Sequence, residues 1–368
     1  MPIDEISPIV RKAVGCESAV VKRGWTAEAL SVGSIGEDTA GFLRVAGTAD
    51  VVGADTKWSL VVKAVNVLHR NTGGRTAFTS GAREVDAFRS GFLDSDGRGM
   101  TSVRCHQITD LPDVTLLWLA DMGESIPYPW GLEEFVSAAY QTGLFNGSWP
   151  ESSAPVGDWL DRKFVTHRPS WILRNESFSA LIGTDMITAA TAFTERAGIP
   201  APGELLGRFK EVVESSLKVP LVVSHNDLHS RNAFMQIESS GLVMYGIDWA
   251  SIGLSPVGLD GGTLVAGAMI WRDEEAHLIA DIEGEMFDEY TNGLTDAGLD
   301  HNRDQVRLGY LSNILPYILG YVRSGVKPIG YWIPRFGTQG EEFQEQITQR
   351  LRIFMPLFDE AVVLARQM

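Results

Sequence analysis

The chain has 368 residues, with 31 Lys and Arg against 47 Asp and Glu, for a net charge of −16. That length buries a sizeable core and accommodates two compact domains or one two-lobed unit. The acidity argues against a protein built to wrap a nucleic-acid backbone, which needs a basic footprint, and fits cationic or neutral small partners better. An acidic surface also serves solubility alone.

The chain opens Met1-Pro2-Ile3-Asp4-Glu5, an acidic start without the basic and apolar regions of a secretory leader. Cys16 and Cys105 match neither a disulfide framework nor a metal knuckle, so a cytoplasmic location is expected. Strands are predicted at Trp25 to Val32, Gly41 to Ala46 and Trp58 to Val67, where β-branched and apolar residues alternate with Gly and Asp clusters. A helix is predicted over Arg83 to Leu93, then strands at Ser102 to Ile108 and Val114 to Ala120, ending in a hinge at Asp121-Met122-Gly123.

Beyond the hinge the pattern becomes helical. Helices are predicted over Leu132 to Leu144, Ser177 to Ala197, Glu204 to Leu217, Glu274 to Tyr290, Arg303 to Val322 and Glu341 to Arg366. Gly198-Ile199-Pro200 and Asn292-Gly293 are read as helix stops. A β-rich interruption covers Val219 to Ser224 and Leu242 to Asp248. The longest uncharged stretch, Phe135 to Pro150, falls short of the ~20 apolar residues that cross a bilayer, so no membrane partner is expected. The expected class is α+β, with a ligand cleft between a small sheet lobe and a larger helical lobe.

Chemistry concentrates in Ser224-His225-Asn226-Asp227-Leu228-His229-Ser230-Arg231-Asn232 and Tyr245-Gly246-Ile247-Asp248-Trp249. Asp227 and Asn232 sit five positions apart on a loop, and a later strand ends in Asp248. Asn232 with Asp248 suits Mg²⁺, a hard cation that takes oxygen ligands and keeps waters and substrate phosphates. Asp227 is left to accept a proton from a substrate hydroxyl, a layout for phosphoryl transfer. Two other readings stand beside it. His225-x-Asp227-x-His229 with Asp248 could hold Zn²⁺ or Mn²⁺ in a hydrolase, or the chain could be a silent nucleotide-binding scaffold.

In the strand around Lys63, Val61, Val65 and Val67 share the lysine's face, while Leu60, Val62 and Ala64 line the other. A lysine so placed is costly unless paired, and Glu84 on the following helix is the natural partner.

These residues resemble the protein-kinase-like superfamily, and within it the aminoglycoside phosphotransferases and choline kinase-like enzymes. His225, Asp227, Leu228 and Asn232 match the kinase loop H-R-D-L-x-x-x-N at its spacing. Asn226 stands where protein kinases have Arg and the small-molecule branch usually has Gly. Asp248-Trp249-Ala250 stands where protein kinases have Asp-Phe-Gly. Asp260, in Pro256-Val257-Gly258-Leu259-Asp260, resembles the aspartate that braces the catalytic loop. No Ala-Pro-Glu motif or long activation segment follows Asp248, which favours a small acceptor over a protein.

The resemblance implies a bilobal fold, with a nucleotide-binding lobe over 1–120, a catalytic and substrate-binding lobe over 121–368 and a hinge near 118–123. It points Lys63, held by Glu84, at the α- and β-phosphates of ATP. It makes Asp227 the base, gives His225 a bracing role in the catalytic loop, and makes Asn232 and Asp248 the Mg²⁺ ligands. Ser34 and Ile35, in the glycine-containing turn Gly33 to Gly41, become backbone donors to the β-phosphate. That turn is not G-x-G-x-x-G, and Glu37-Asp38 would repel phosphates if it pointed inward. Trp118-Leu119-Ala120-Asp121-Met122 matches the adenine-binding segment, with backbone groups of Ala120 and Met122 on the base edge. ATP is the default donor, and the hinge leaves GTP open.

The acceptor is expected to be a small molecule bearing a hydroxyl, met by His229, Asp158 and Trp271, with Trp149 and Trp159 as further aromatic candidates. Asp158, Glu151, Asp273, Glu274 and Glu275 could attract a cationic one. A monomer or homodimer is expected.

Overall fold

Antiparallel pairing organises the first third of the chain. In this computed structural model the described residues are 2–30, 39–66, 80–94, 98–123, 125–126, 129–164, 166, 186–239, 241–271, 273–326 and 341–368, with backbone only at 186 and 269–276. A helix not predicted from the sequence, α1 (Ile3–Ala13), comes first. Ile6, Ile9 and Val10 bury one face of it although Pro8 interrupts its hydrogen-bond ladder. Strands β1 (Val20–Val21), β2 (Thr26–Ala29), β3 (Thr39–Val51) and β4 (Ala54–Asn66) follow, then α2 (Gly81–Arg89), β5 (Thr101–Ser102), β6 (Cys105–Asp110) and β7 (Val114–Ala120). The sheet runs β1-β3-β4-β7-β6, with β2 paired to β3.

Strands β3 and β4 extend well past the predicted segments and close through Val52-Gly53, both at positive φ (54° and 85°). A β-branched residue in that conformation is unusual, so the turn was not legible as one. Gly53 N donates to Asp50 Oδ1 at 2.7 Å and stabilises it. Trp58, Leu60 and Val62 of β4 face α1 in one apolar cluster, and Val65 belongs to the main core on the other side. Cys16 and Cys105 are both free.

The rest of the chain is helical around two small sheets. It contains α3 (Leu132–Ser148), α4 (Met186–Ala197), α5 (Pro202–Ser216), β8 (Leu221–Ser224), β9 (Ala233–Glu238), β10 (Gly241–Gly246) and β11 (Gly253–Pro256). Then come α6 (Leu259–Trp271), α7 (Asp273–Asp296), α8 (Arg303–Ser312), α9 (Leu315–Val326) and α10 (Glu341–Gln367). Strand β9 is absent from the sequence prediction; it pairs antiparallel with β10, whose other edge takes β5 in parallel. Strand β8 pairs antiparallel with β11. The predicted Arg303 to Val322 helix is two helices. Pro316, at the second position of α9, has no N–H to continue the first, and Asn313 turns its side chain to Thr263 Oγ1 at 2.6 Å.

Asn292-Gly293 is not a stop. Helix α7 runs through it to Asp296, and the glycine instead lets α7 and α3 touch backbone to backbone. A Cβ on Gly293 would lie 2.2 Å from Tyr140 O, and one on Gly143 would lie 2.1 Å from Tyr290 O. Gly293→Ala is therefore expected to cost about 1–3 kcal/mol through overpacking. Gly284→Ala on the same helix, where nothing stands within 4 Å, should be neutral or stabilising. Urea denaturation of both variants checks this, and equal midpoints would refute it.

Trp149 and Trp159 pack on Phe92, with ring centroids 5.0 and 5.2 Å away. They serve the core there. Among the described residues no helix is long and apolar enough to cross a membrane.

Candidate active site

Strand β8 is buried along its last three residues and delivers the chain to His225, itself fully buried. Asn226 takes φ 69°, which puts a sharp turn before Asp227. Asn tolerates that conformation better than most residues, and here its side chain also fills a polar socket. Asn226 Nδ2 donates to Ser251 O at 2.9 Å, and Ser255 Oγ donates to Asn226 Oδ1. The departure from Gly at this position thus replaces conformational freedom with hydrogen bonds.

Asp260, on the first turn of α6, gathers the turn. Its Oδ2 accepts from His225 N at 2.7 Å and Asn146 Nδ2 at 3.1 Å, and its Oδ1 from Asn226 N at 2.8 Å. Burial pushes this carboxyl's pKa up, opposed by His225 and the three donors. Tyr290 OH donates to Asn146 Oδ1 at 2.9 Å and accepts from Gly258 N at 2.9 Å, which extends the network to α7. Asn146 and Tyr290 were not singled out in the sequence. An amide in the apolar stretch of α3, one of two there with Gln141, was the signal available for Asn146.

Asn232 faces Asp227 across the loop. Its Nδ2 donates to Asp227 O at 2.9 Å and to Asp227 Oδ2 at 3.2 Å, while Asn232 O accepts from Ile247 N at 2.9 Å. That last bond ties the loop to the residue before Asp248. Both ring nitrogens of His225 are engaged: Nε2 with Ile247 O at 2.8 Å, and Nδ1 with Asp227 N at 3.3 Å. His225 is therefore not free to ligate zinc as the hydrolase reading requires. Among the described residues no group of three His, Cys, Asp or Glu gathers as a metal site. His229 is half-buried, accepts from Arg231 N at 3.2 Å, and stands against Gly267, where a Cβ would come within 2.3 Å of its own. Burial lowers its pKa.

Lys63, 3% exposed, reaches from β4 to two carboxylates. Its Nζ lies 2.6 Å from Glu84 Oε2 and 2.7 Å from Asp248 Oδ1. Burial works against the ammonium, but Asp248 and Glu84 outweigh it and hold the lysine pKa above its ordinary value. Burial pushes Glu84 up, and the nearby ammonium pulls Asp248 down. Glu84 Oε1 also accepts from Trp249 N at 3.3 Å, and the Trp249 ring is buried 4.6 Å from that of His225. Asp248 itself sits at φ 63°, a left-handed position that turns its side chain out of strand register.

The donor set fits a divalent cation. One ammonium against two carboxylates leaves a negative charge, and the Asp248 side chain is 45% exposed with only one oxygen on Lys63. Asn232 spends its NH₂ on Asp227 and keeps its carbonyl oxygen for a hard ligand. Mg²⁺ would be held by Asn232 and Asp248.

At the predicted hinge, Ala120 N donates to Arg104 O at 2.9 Å, so of its backbone groups only the carbonyl is left for the expected base contact. Met122 O accepts from Ser125 N at 2.9 Å, which leaves its N–H for that role. Between them Asp121 is tied to the sheet by Arg44 Nε at 2.8 Å and Ser59 Oγ at 2.5 Å. Ser34 and Ile35 lie outside the described residues, as do the side chains of Trp271, Asp273, Glu274 and Glu275. Asp158 and Glu151 are exposed on the segment after α3.

No protein-family model matches the sequence, and no curated protein matches it. Solved structures do match. The amicoumacin kinase hAmiN, solved with AMP-PNP, Ca2+ and Ami, aligns over 90% of this chain and 88% of its own at 12% identity, TM-score 0.50. A spectinomycin phosphotransferase, APH(9)-Ia, solved with ADP and spectinomycin, aligns over 93% and 94% at 12% identity, TM-score 0.48. A choline/ethanolamine kinase family protein from Mesorhizobium loti aligns over 94% of each chain at 12% identity, TM-score 0.47. The chain has the protein-kinase-like fold. Within that kinase-like frame, the curled antiparallel sheet and the helical lobe meet where Lys63, Glu84 and Asp248 come together.

Proposed function

We propose that this protein is a small-molecule O-phosphotransferase that moves the γ-phosphate of ATP to a substrate hydroxyl. The observation that carries the reading is the three-way contact of Lys63, Glu84 and Asp248, drawn from β4, α2 and the loop after β10, beside a loop in which Asn232 holds Asp227. Isolated lysines and aspartates pair at random on surfaces; a 3% exposed lysine shared by two carboxylates across lobes needs a purpose. The likeness to hAmiN supports nucleotide and divalent-metal use by the same fold.

In this reading Lys63 steadies the α- and β-phosphates once nucleotide arrives, while Glu84 keeps it aimed. Mg²⁺ bound at Asn232 and Asp248 supplies neutralisation of the phosphate charge. Asp227 accepts the acceptor hydroxyl's proton as that oxygen bonds the γ-phosphorus, the bond to the β–γ bridging oxygen breaks, and ADP leaves. One hydrogen bond from Asn232 sets the Asp227 carboxylate, and the His225 ring holds its backbone.

The acceptor is a small, amine-bearing alcohol. The net charge of −16 and the exposed Asp158 and Glu151 on the segment after α3 favour a cation. A coupled ADP-release screen over amino sugars, cyclic-peptide antibiotics, amino alcohols and neutral sugars tests it. Turnover of neutral sugars alone would defeat the cationic acceptor. Stabilisation by MgATP with no transfer to any acceptor would favour a silent scaffold. Asp248→Ala is expected to abolish the Mg²⁺-dependent part of nucleotide binding, seen as loss of the MgATP thermal shift. A retained shift would remove Asp248 from the metal site.

A further inference from the structure

Helix α2 docks on the loop after Asp248 through more than Glu84. Ser80 N, just ahead of the helix, donates to Ala250 O at 2.8 Å, and Arg83 Nη1 donates to the same carbonyl at 3.1 Å. Arg83 Nη2 stands 3.7 Å from Asp161 Oδ2, and the two side chains are only 12% and 6% exposed. Asp161 comes from the segment after α3, yet its backbone is stitched to the same loop. Its N–H donates to Ile252 O at 3.3 Å, and Leu254 N donates to its carbonyl at 2.8 Å. Lys163 N donates to Asp161 Oδ1 at 2.8 Å, which sets the carboxylate's orientation with Oδ2 on the arginine side. Gly253 permits the approach, since a Cβ there would lie 2.6 Å from Asp161 O.

A nine-residue helix does not hold itself in water, so the placement of α2 is decided by its docking contacts. A desolvated ion pair adds little net stability, but it discriminates sharply between arrangements that keep it and those that break it. Arg83 is adjacent to Glu84, and an anchor on one fixes where the other's carboxylate meets Lys63.

We infer that Arg83 and Asp161 are a positioning pair that clamps α2 to the loop after Asp248 and so keeps Glu84 on Lys63 before any nucleotide binds. The effect of this pair on turnover rests on the phosphotransferase reading; its effect on Lys63 does not.

The test uses the full chain without nucleotide. Lys63 is labelled with an amine-acylating reagent and quantified by peptide mass spectrometry, with exposed Lys57 on the same strand as internal control. Asp161→Asn and Arg83→Gln should each raise Lys63 labelling on the order of tenfold, because a helix that undocks more often opens the site more often. Lys57 labelling should stay unchanged. The double variant should match Arg83→Gln, which already loses the bond to Ala250 O as well as the ion pair, and Arg83→Lys should restore most of the protection. If Asp161→Asn does not fold, Asp161→Glu, which keeps the charge and shifts it by one methylene, takes its place. With ATP and an acceptor, kcat/KM should fall by up to roughly 10²-fold, mainly through KM for MgATP, as geometry at Lys63 loosens. Folded variants with unchanged Lys63 labelling overturn the proposal. Raised labelling in a protein that transfers phosphate to no acceptor upholds the positioning pair and sinks the phosphotransferase reading alone.

Discussion

Asp227→Ala is expected to lower turnover by about 10²–10⁴-fold, the range that a positioned general base contributes, while nucleotide affinity changes little. The asymmetry follows from the hydrogen bonds. Asp227 offers its carboxylate to Asn232 Nδ2 at 3.2 Å, but the stronger contact from the same nitrogen goes to the Asp227 backbone oxygen at 2.9 Å and survives truncation. Asn232 therefore stays in place, and so does the Asn232 O to Ile247 N bond that secures the approach to Asp248. Lys63, Glu84 and Asp248 share no bond with the Asp227 side chain. Turnover and MgATP affinity measured on one preparation separate base from binding group. Full turnover with a cognate acceptor would remove Asp227 from its role.

Asp260→Ala should cost several kcal/mol of stability. Its carboxylate is fully buried and satisfies three donors, His225 N, Asn226 N and Asn146 Nδ2. Each buried donor left without an acceptor costs about 1–3 kcal/mol, and the void adds to this. Neither backbone amide can turn elsewhere, because His225 is fixed through Ile247 O and Asn226 through Ser251 O. Asp260→Asn should fall between, since an amide returns one acceptor oxygen but presents N–H groups to donors. Urea titration reads the effect as a lower midpoint at unchanged slope. A shift worth less than 1 kcal/mol for the alanine variant would contradict this account.

What the sequence disclosed here was chemistry held in local spacing. His225, Asp227 and Asn232 lie within one loop, so their order alone implies that they converge. Lys63 was legible for another reason: a charge among apolar β-branched residues must be paired, and α2 supplies the next acid. Partners that meet only through tertiary packing were silent. Nothing near Asp161 in the chain indicates Arg83, and nothing near Asn146 indicates Asp260. Helix α1 is poorly legible in the sequence because Pro8 sits inside it, although Ile6, Ile9 and Val10 carry the burial pattern. Gly293 misled in the opposite direction, since a close helix contact and a helix stop ask for the same residue. The break at Asn313 was signalled by Pro316 but masked by apolar periodicity continuing on both sides.

The segment from Ser251 to Asp260 is buried at every position, and the Ser251 and Ser255 residues are 7% and 0% exposed. In the place where a signalling kinase would display a strip for other enzymes to modify, this chain offers neither hydroxyl to a visiting active site. Any modification of either serine would have to wait for this segment to leave the core.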